Sequence, residues 1–211
     1  MFDKISGFIT DTLIEGKVIK SEERNLYLYC FGTIIEMSAN LLATLIIGVL
    51  LHRFIETLIF MLVFIPLRSF AGGYHCEKAE SCFILSIFVY STVMLSYKYL
   101  YGISIYWICA ICLADFIAVL IMSPVVSPNK PLNAKGKNKN RRISIFITAF
   151  YIAAILIMLY CKTPHAFVIL ESTTASVISM AAGFLKYKKR QKLAVHCSKT
   201  TVHTNFDTKS K

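Results

Sequence analysis

The sequence predicts an all-α, polytopic integral membrane protein with about six transmembrane helices and an N-terminal amphipathic interfacial helix. Three observations predict this class. The 211 residues are 56% hydrophobic, with a mean hydropathy of +0.60, which is too apolar for an ordinary soluble domain. Apolar runs close to the ~20 residues needed to cross a bilayer recur along the chain. The charged residues collect between these runs, as in proteins with several membrane spans.

Residues 1–25 are the first predicted element, an amphipathic helix that lies in the membrane interface. Charged residues alternate with apolar ones here, without the basic start, apolar centre and small-residue cleavage site of a secretory signal. The apolar residues recur at roughly helical spacing. They are Phe2, Ile5, Phe8, Ile9, Leu13 and, less regularly, Ile14.

Residues 26–192 form the predicted transmembrane domain, which contains six apolar runs. The second run has only 14 residues, so we expect it to be tilted, extended into the polar segment that follows, or partly re-entrant. That polar segment is the island at residues 68–82, and a basic loop follows later at residues 124–142. Residues 193–211 are expected to form a flexible polar tail. The six runs are residues 26–51, 54–67, 83–101, 103–123, 143–161 and 165–185.

The placement of lysine and arginine predicts the orientation of these spans, because short loops rich in them stay in the cytoplasm. If both termini, the polar island and the basic loop are cytoplasmic, only Arg53, Lys98 and Lys162 fall on the opposite side. Six spans also require both termini on one side. The sequence therefore predicts a multi-pass membrane protein with its termini and its polar island in the cytoplasm.

The formal net charge of +11 is explained mainly by this orientation. The basic loop and the run from Lys186 to Lys192 are also expected to contact anionic lipid headgroups or an acidic peptide at the inner surface. Nucleic acid binding is not expected, since no aromatic interleaving or known module accompanies the basic residues.

The seven cysteines are scattered, so a disulfide framework, which is typical of small secreted domains, is not expected. Cys109 and Cys112 form a C-x-x-C pair inside an apolar run without a second pair, which favours simple packing. In the tail, His196, Cys197 and His203 fit no closed zinc set, so no metal site is predicted.

The polar island contains the residues that could carry out catalysis. It reads Arg68-Ser-Phe-Ala-Gly-Gly-Tyr-His75-Cys-Glu-Lys-Ala-Glu-Ser-Cys82, and His75 and Cys82 supply a general base and a sulfur nucleophile. On one straight helix, residues seven apart are separated by about 10 Å, beyond hydrogen-bond reach. We therefore expect a bend at Gly72 and Gly73, with Cys82 near the start of the next helix and His75 folded back toward it.

Spacing alone leaves alternatives open. The island also fits an interfacial or re-entrant loop in which the histidine and cysteines only pack. Cys76 is a rival nucleophile, although adjacent side chains point in different directions. Four acids within predicted spans are expected to face a polar interior or to be neutral. Some of them, or acids of the island itself, are candidates to orient His75, and no third catalytic residue is assigned. The acids are Glu36, Glu56, Asp115 and Glu171 in the spans and Glu77 and Glu80 in the island.

Two motifs resemble those of a known family. The pattern R-x3-GG-x-H-x6-C, formed by residues 68–82, and the segment Ser123-Pro-Val-Val-Ser-Pro-Asn-Lys-Pro-Leu132 are similar to elements of the accessory gene regulator protein B family. Its members are membrane endopeptidases that process quorum-sensing propeptides. The resemblance covers roughly residues 1–190. It implies that His75 and Cys82 are the catalytic pair and that Arg68, Gly72 and Gly73 support the site.

The same resemblance implies the activity. The expected function is cleavage of an autoinducer propeptide, with an amphipathic N-terminal and an acidic C-terminal part, through an acyl-enzyme thioester that permits cyclisation to a thiolactone or lactone. No cofactor is implied, and the chain has no phosphate-binding P-loop motif. A homodimer is expected. The alternative functions are a small transporter or exporter of a signal peptide without proteolytic activity, which internal symmetry would favour, and a non-enzymatic scaffold for a signalling partner.

Overall fold

A computed structural model describes residues 2–74, 79–100, 102–125 and 133–207, with side chains for these ranges except at residues 2, 3, 79 and 98 and beyond Lys188. Seven α-helices follow one another, and no β-strand occurs in the part of the chain described. Short 3-10 helices at Ser21–Glu23 and Tyr97–Leu100 adjoin α2 and α4. The helices are α1 (Phe2–Glu15), α2 (Arg24–Leu50), α3 (Phe54–Ala71), α4 (Ala79–Ser96), α5 (Ile105–Met122), α6 (Ala134–Tyr160) and α7 (His165–Asp207).

Within the described residues, five helices are long and apolar enough to cross a membrane, and α4 is a shorter apolar helix when counted from Glu80 to Ser96. This confirms the prediction of an all-α polytopic membrane protein. The doubtful second run, residues 54–67, is longer than the sequence indicated. Helix α3 continues to Ala71 and reaches 18 residues, about 27 Å at 1.5 Å per residue. It therefore has the length of a span without any re-entrant stretch.

Two boundaries differ from the sequence prediction. Helix α6 begins at Ala134, so the second half of the expected basic loop at 124–142 is helical. Helix α7 continues to Asp207, through most of the segment expected to be a flexible polar tail. At the start of α6 the physical reason is that alanine, lysine and arginine, which make up six of residues 134–142, have high helix propensity even where hydropathy is low. The extension of α7 beyond Leu193 runs through histidine, serine, threonine and valine, and helix propensity does not explain it.

Helix α1 packs against α2 through a small polar face. The buried side chains of α1 are Ser6 and Thr10, whereas Phe8 is exposed. Outside this contact, the guanidinium of Arg24 donates to both carboxylate oxygens of Asp11, at 2.8 and 3.1 Å. The exposed apolar residues of α1 suit a helix that lies at the membrane surface.

Helices α3 and α7 are the centre of the bundle, and α7 contacts α3, α4, α5 and α6. One apolar core lies among α3, α5, α6 and α7, and a second lies between α3 and α4. In the second core, the Phe60 ring packs at 5.2 Å edge-on against Tyr90, and the Tyr90 and Thr57 hydroxyls are 2.7 Å apart. These contacts fix the register of α3 against α4.

Pro66 lies inside α3 and cannot donate a backbone hydrogen bond to the carbonyl of Leu62 one turn earlier. The Tyr151 hydroxyl on α6 donates to that carbonyl instead, at 2.9 Å. A buried carbonyl without a partner is costly in a membrane. This contact from α6 therefore allows α3 to pass through the proline and to continue toward the polar island.

Candidate active site

The polar island begins with a glycine turn at the end of α3. Gly72 has a φ of 77°, a conformation that favours glycine, and a Cβ there would overlap the carbonyl oxygen of Val125. The Val125 amide donates to the Ala71 carbonyl at 2.8 Å, and the Gly72 amide donates to the Arg68 carbonyl at 3.1 Å. As expected from the sequence, the chain leaves α3 by a turn at this glycine pair.

Arg68, in the last turn of α3, holds the chain that follows the turn. Its guanidinium donates to the Ser179 hydroxyl and to the Tyr74 carbonyl, each at 2.7 Å. The Tyr74 amide in turn donates to the Ser179 carbonyl at 2.9 Å. Both backbone polar groups of the residue that precedes His75 are therefore bonded to named partners.

A close backbone approach from α7 completes this arrangement. A Cβ on Gly183 would lie 2.7 Å from the carbonyl carbon of Gly73 and 2.9 Å from the Tyr74 nitrogen. The Lys186 ammonium lies 4.4 Å from the centre of the Tyr74 ring. Ser179, Gly183 and Lys186 occupy positions i, i+4 and i+7 of α7, which share one side of a helix. We call these three residues the α7 contact face.

Cys82 lies in the first turn of α4, near a helix start as the sequence predicts. It is buried, as are Tyr90 and Val93 further along α4. Residues at this spacing lie on one side of the helix, and Ile84 and Phe88 on the other side are exposed. Cys82 therefore faces the bundle rather than the surrounding lipid.

The register of α3 and α4 gives the depth of Cys82. At the far end of both helices, Arg53 donates to the Tyr97 hydroxyl. From there, α3 runs fifteen residues to Arg68, and the antiparallel path from Tyr97 back to Cys82 is also fifteen residues. Both paths cover about 22 Å at 1.5 Å per residue. Cys82 therefore lies close to the depth of Arg68, on a neighbouring helix.

His75 and the rival nucleophile Cys76 lie outside the described residues, as do Glu77 and residues 126–132 of the basic loop. The structure brings Arg68, Gly72 and Gly73 together around Tyr74. The pairing of His75 with Cys82 stays a prediction.

Three of the four acids within the predicted spans, all except Glu36, have hydroxyl partners that the structure shows. Thr174 donates to Asp115 and Ser96 donates to Glu171, each at 2.7 Å. Glu56 accepts from the Tyr97 hydroxyl at 3.3 Å. These bonds satisfy carboxyl groups inside an apolar bundle, which agrees with the expected polar surroundings. The choice of an acid to orient His75 stays open.

Sequence reasoning missed the α7 contact face. The available signal was the spacing of Ser179 and Gly183 within the sixth apolar run, because small residues four apart often mark close contacts between membrane helices.

The comparison with known proteins agrees with the motifs. The family model of accessory gene regulator B matches residues 4–184. The chain belongs to the accessory gene regulator B family. This confirms the resemblance drawn from the polar island and the proline-containing segment, and it associates the chain with accessory gene regulation, a quorum-sensing system.

Individual relatives support the assignment. The chain is 25% identical over 169 residues to an AgrB-like protein of Clostridium perfringens strain SM101, covering 76% of this chain and 79% of the relative. It is 27% identical over 135 residues to an AgrB-like protein of Lactiplantibacillus plantarum, covering 63% and 68%. It is 30% identical over 132 residues to the accessory gene regulator protein B of Staphylococcus carnosus, covering 59% and 65%. No solved structure matches the chain.

Proposed function

We propose that this accessory gene regulator B family member is a membrane-embedded cysteine endopeptidase that cleaves an autoinducer propeptide at the C-terminal side of its signal core. The observation that supports it most is the position of Cys82. This cysteine is buried, lies in the first turn of α4 and faces the bundle near the depth of Arg68. Arg68 in turn holds the residue before His75.

In the proposed reaction, His75 takes the proton of the Cys82 thiol, and the sulfur attacks the carbonyl carbon of the scissile peptide bond. The N-terminus of α4 favours the thiolate, because the aligned peptide dipoles of a helix give that end partial positive charge. The carbon–nitrogen bond then breaks, and His75 returns the proton to the leaving amine. The products are the C-terminal peptide and a thioester between Cys82 and the signal core.

A cysteine or serine within the propeptide then captures the acyl group and releases Cys82, which gives a thiolactone or lactone. A site that excludes water favours this capture over hydrolysis. Exchange of one thioester for another is nearly neutral in free energy, so the step needs no nucleotide. The proposed enzyme uses no cofactor.

The proposed substrate docks from the cytoplasm. Its amphipathic N-terminal part lies in the inner leaflet, as α1 is proposed to do, and its acidic C-terminal part meets the basic start of α6. Lys135, Lys139 and Arg142 line a cleft of about 490 Å³ there, and cations at this boundary attract acidic groups. We further propose a homodimer in the bacterial cell membrane, with both termini and the site cytoplasmic, as the lysine and arginine distribution indicates.

The deciding experiment is coexpression of the propeptide encoded by the adjacent gene with Cys82→Ala. We expect cleavage to stop while the variant still inserts in the membrane. His75→Ala should act in the same way. The matched control is Cys112→Ala, which makes the same change at another buried cysteine, on α5, and should retain cleavage.

Mass spectrometry should find the propeptide-derived acyl group on Cys82 in the wild type. Continued cleavage by Cys82→Ala would remove this sulfur from the mechanism. An acyl group on Cys76 would identify Cys76, and not Cys82, as the nucleophile. Secretion of the peptide without any cleavage would support the exporter alternative instead.

A further inference from the structure

Helix α7 contacts the chain beside the proposed catalytic histidine through its backbone and not only through side-chain packing. The Ser179 carbonyl accepts from the Tyr74 amide at 2.9 Å, and Gly183 allows the backbone of Gly73 to approach to a distance that a Cβ would block. These contacts link positions more than 100 residues apart in the chain. They fix the main chain of Gly73 and Tyr74 against a helix that is itself anchored in the core.

Ser179 differs from three nearby hydroxyl residues of α7. Ser172, Thr173 and Ser176 each donate to the carbonyl one turn earlier in their own helix. The Ser179 hydroxyl instead accepts from Arg68 at 2.7 Å. A charged donor makes the stronger class of hydrogen bond, so this hydroxyl fixes the guanidinium that holds the Tyr74 carbonyl.

The small residues Gly183 and Gly73 explain how α7 can contact the chain that follows α3. Gly183 contributes no side chain, and a Cβ on Gly73 would lie only 3.1 Å from the Ser179 hydroxyl oxygen. A side chain at position 183 would collide with the Gly73 backbone, and a side chain at position 73 would crowd the Ser179 hydroxyl. Lys186, one turn further along, lies over the Tyr74 ring and extends the same contact toward the membrane surface.

We propose that Ser179 and Gly183 are positioning residues for the proposed peptidase, and that α7 sets the location of His75 relative to Cys82 by holding Gly73 and Tyr74. This inference rests on the proposed function. It gives α7 a role in catalysis that acts through the backbone, with no contact to the substrate. Positioning of reacting groups is sensitive, because a displacement of about 1 Å can cost about 100-fold in rate.

The main test compares Ser179→Ala with Ser176→Ala in protein reconstituted in nanodiscs, with the propeptide encoded by the adjacent gene as the probe. Both variants lose one hydroxyl on the same helix, one turn apart. We expect Ser179→Ala to lower kcat about tenfold or more with KM unchanged, because the reacting groups are misplaced while substrate binding is kept. Ser176→Ala should keep both constants near wild type.

A second test uses the close approach of the Gly73 backbone to Gly183 on α7. Gly183→Ala should lower kcat further than Ser179→Ala, because the new Cβ must push the Gly73 backbone away from α7. Gly32→Ala on α2 is the control, since a Cβ there meets only the Ser6 side chain, at 3.8 Å or more. If Gly183→Ala fails to fold, the serine comparison still decides.

The outcomes separate this inference from the proposed function. If the wild type cleaves and Cys82→Ala does not, while Ser179→Ala and Ser176→Ala have the same kcat, the positioning role is overturned and the peptidase stands. A Ser179→Ala defect confined to KM would also overturn it. If Cys82→Ala still cleaves, the proposed function itself is wrong.

Discussion

An arginine lies at each end of α3, and the two arginines bind different kinds of group. At the first end, Arg53 donates to the Tyr97 hydroxyl and lies 4.9 Å from the centre of its ring. The same hydroxyl donates to Glu56. These contacts join side chains of two neighbouring helices. At the second end, Arg68 binds a main-chain carbonyl, at Tyr74, and a hydroxyl on α7.

This difference separates contacts that are expected to affect stability from contacts that are expected to affect the proposed catalysis. Side-chain contacts between α3 and the end of α4 stabilise the bundle on the side away from the proposed site. The contacts of Arg68 determine where the chain goes next, toward His75. Changes at the Arg53 end are expected to affect the fraction of folded protein. Changes at the Arg68 end are expected to affect the activity of each folded molecule.

The largest effect is expected for Arg68→Lys. Lysine keeps the charge but lacks the planar fork that binds two acceptors at once, so Tyr74 loses part of its anchor and kcat should fall about 100-fold. Arg53→Lys, the same change at the other end, should leave kcat per folded molecule nearly unchanged and lower stability by about 1 kcal/mol. The measurements are kcat in nanodiscs and thermal unfolding followed by circular dichroism. Equal losses of kcat in both variants would break the comparison.

A glycine pair sharpens the same comparison. Gly72 and Gly102 both have positive φ, and Gly102 lies in the loop near the Arg53 end. A Cβ at Gly102 meets nothing within 4 Å, whereas one at Gly72 overlaps Val125. Gly102→Ala should therefore cost only the backbone strain, about 1–2 kcal/mol. Gly72→Ala should cost more in thermal unfolding and should also reduce cleavage. A Gly72→Ala variant as active and as stable as Gly102→Ala would show that the turn tolerates displacement.

The sequence predicted the helices well because their signal is local. Each apolar run became a helix, and the run that ended at Leu67 was extended because the next residue, Arg68, lies inside the last turn with its charge hydrogen-bonded. Hydropathy counts such a residue as the end of a span. The start of α6 was misjudged for the converse reason, since basic helix formers lower hydropathy without ending a helix. The end of α7 was also placed too early.

The site was only half predictable for a different reason. Gly72 and Gly73 were assigned to a turn from their own chemistry, and the structure has the turn there. Ser179 and Gly183 act through contacts with residues more than 100 positions earlier, and no local pattern contains that pairing. Only the spacing of two small residues in an apolar helix hinted at a close contact.

A moderate effect is expected in the middle of α3, between the two arginines. Tyr151→Phe removes the hydroxyl that donates to the Leu62 carbonyl, which Pro66 leaves without a helical partner. The loss should lower the free energy of unfolding by about 1–2 kcal/mol, with kcat per folded molecule unchanged. Tyr160→Phe, at an exposed position on the same helix, should have no effect on stability. A large fall in kcat for Tyr151→Phe would mean that the proline region transmits strain to the site.

The smallest effect is expected for a third arginine contact, outside the bundle. The hydrogen bond and charge of Arg24 lower the pKa of Asp11 below its usual range. Because the folded-state pKa is depressed, the pair stabilises the protein above the unfolded pKa of about 4 and loses this contribution as the pH falls through the folded-state pKa. Both side chains are about half exposed, so solvent and salt screen the pair.

Asp11→Asn should therefore lower the midpoint of thermal unfolding slightly at pH 7 and low salt. The difference from wild type should shrink at 1 M salt and should vanish at a pH below the folded-state pKa of Asp11. Glu15→Gln removes an exposed acid from the same helix and is the control for net charge. A difference between Asp11→Asn and wild type that persists in acid would assign the effect to packing of α1 on α2. Asp11→Asn could instead lower the midpoint of thermal unfolding more than Arg53→Lys does. In that case the burial of an arginine contact does not determine how much it stabilises the protein, and the contrast between the two ends of α3 needs another explanation.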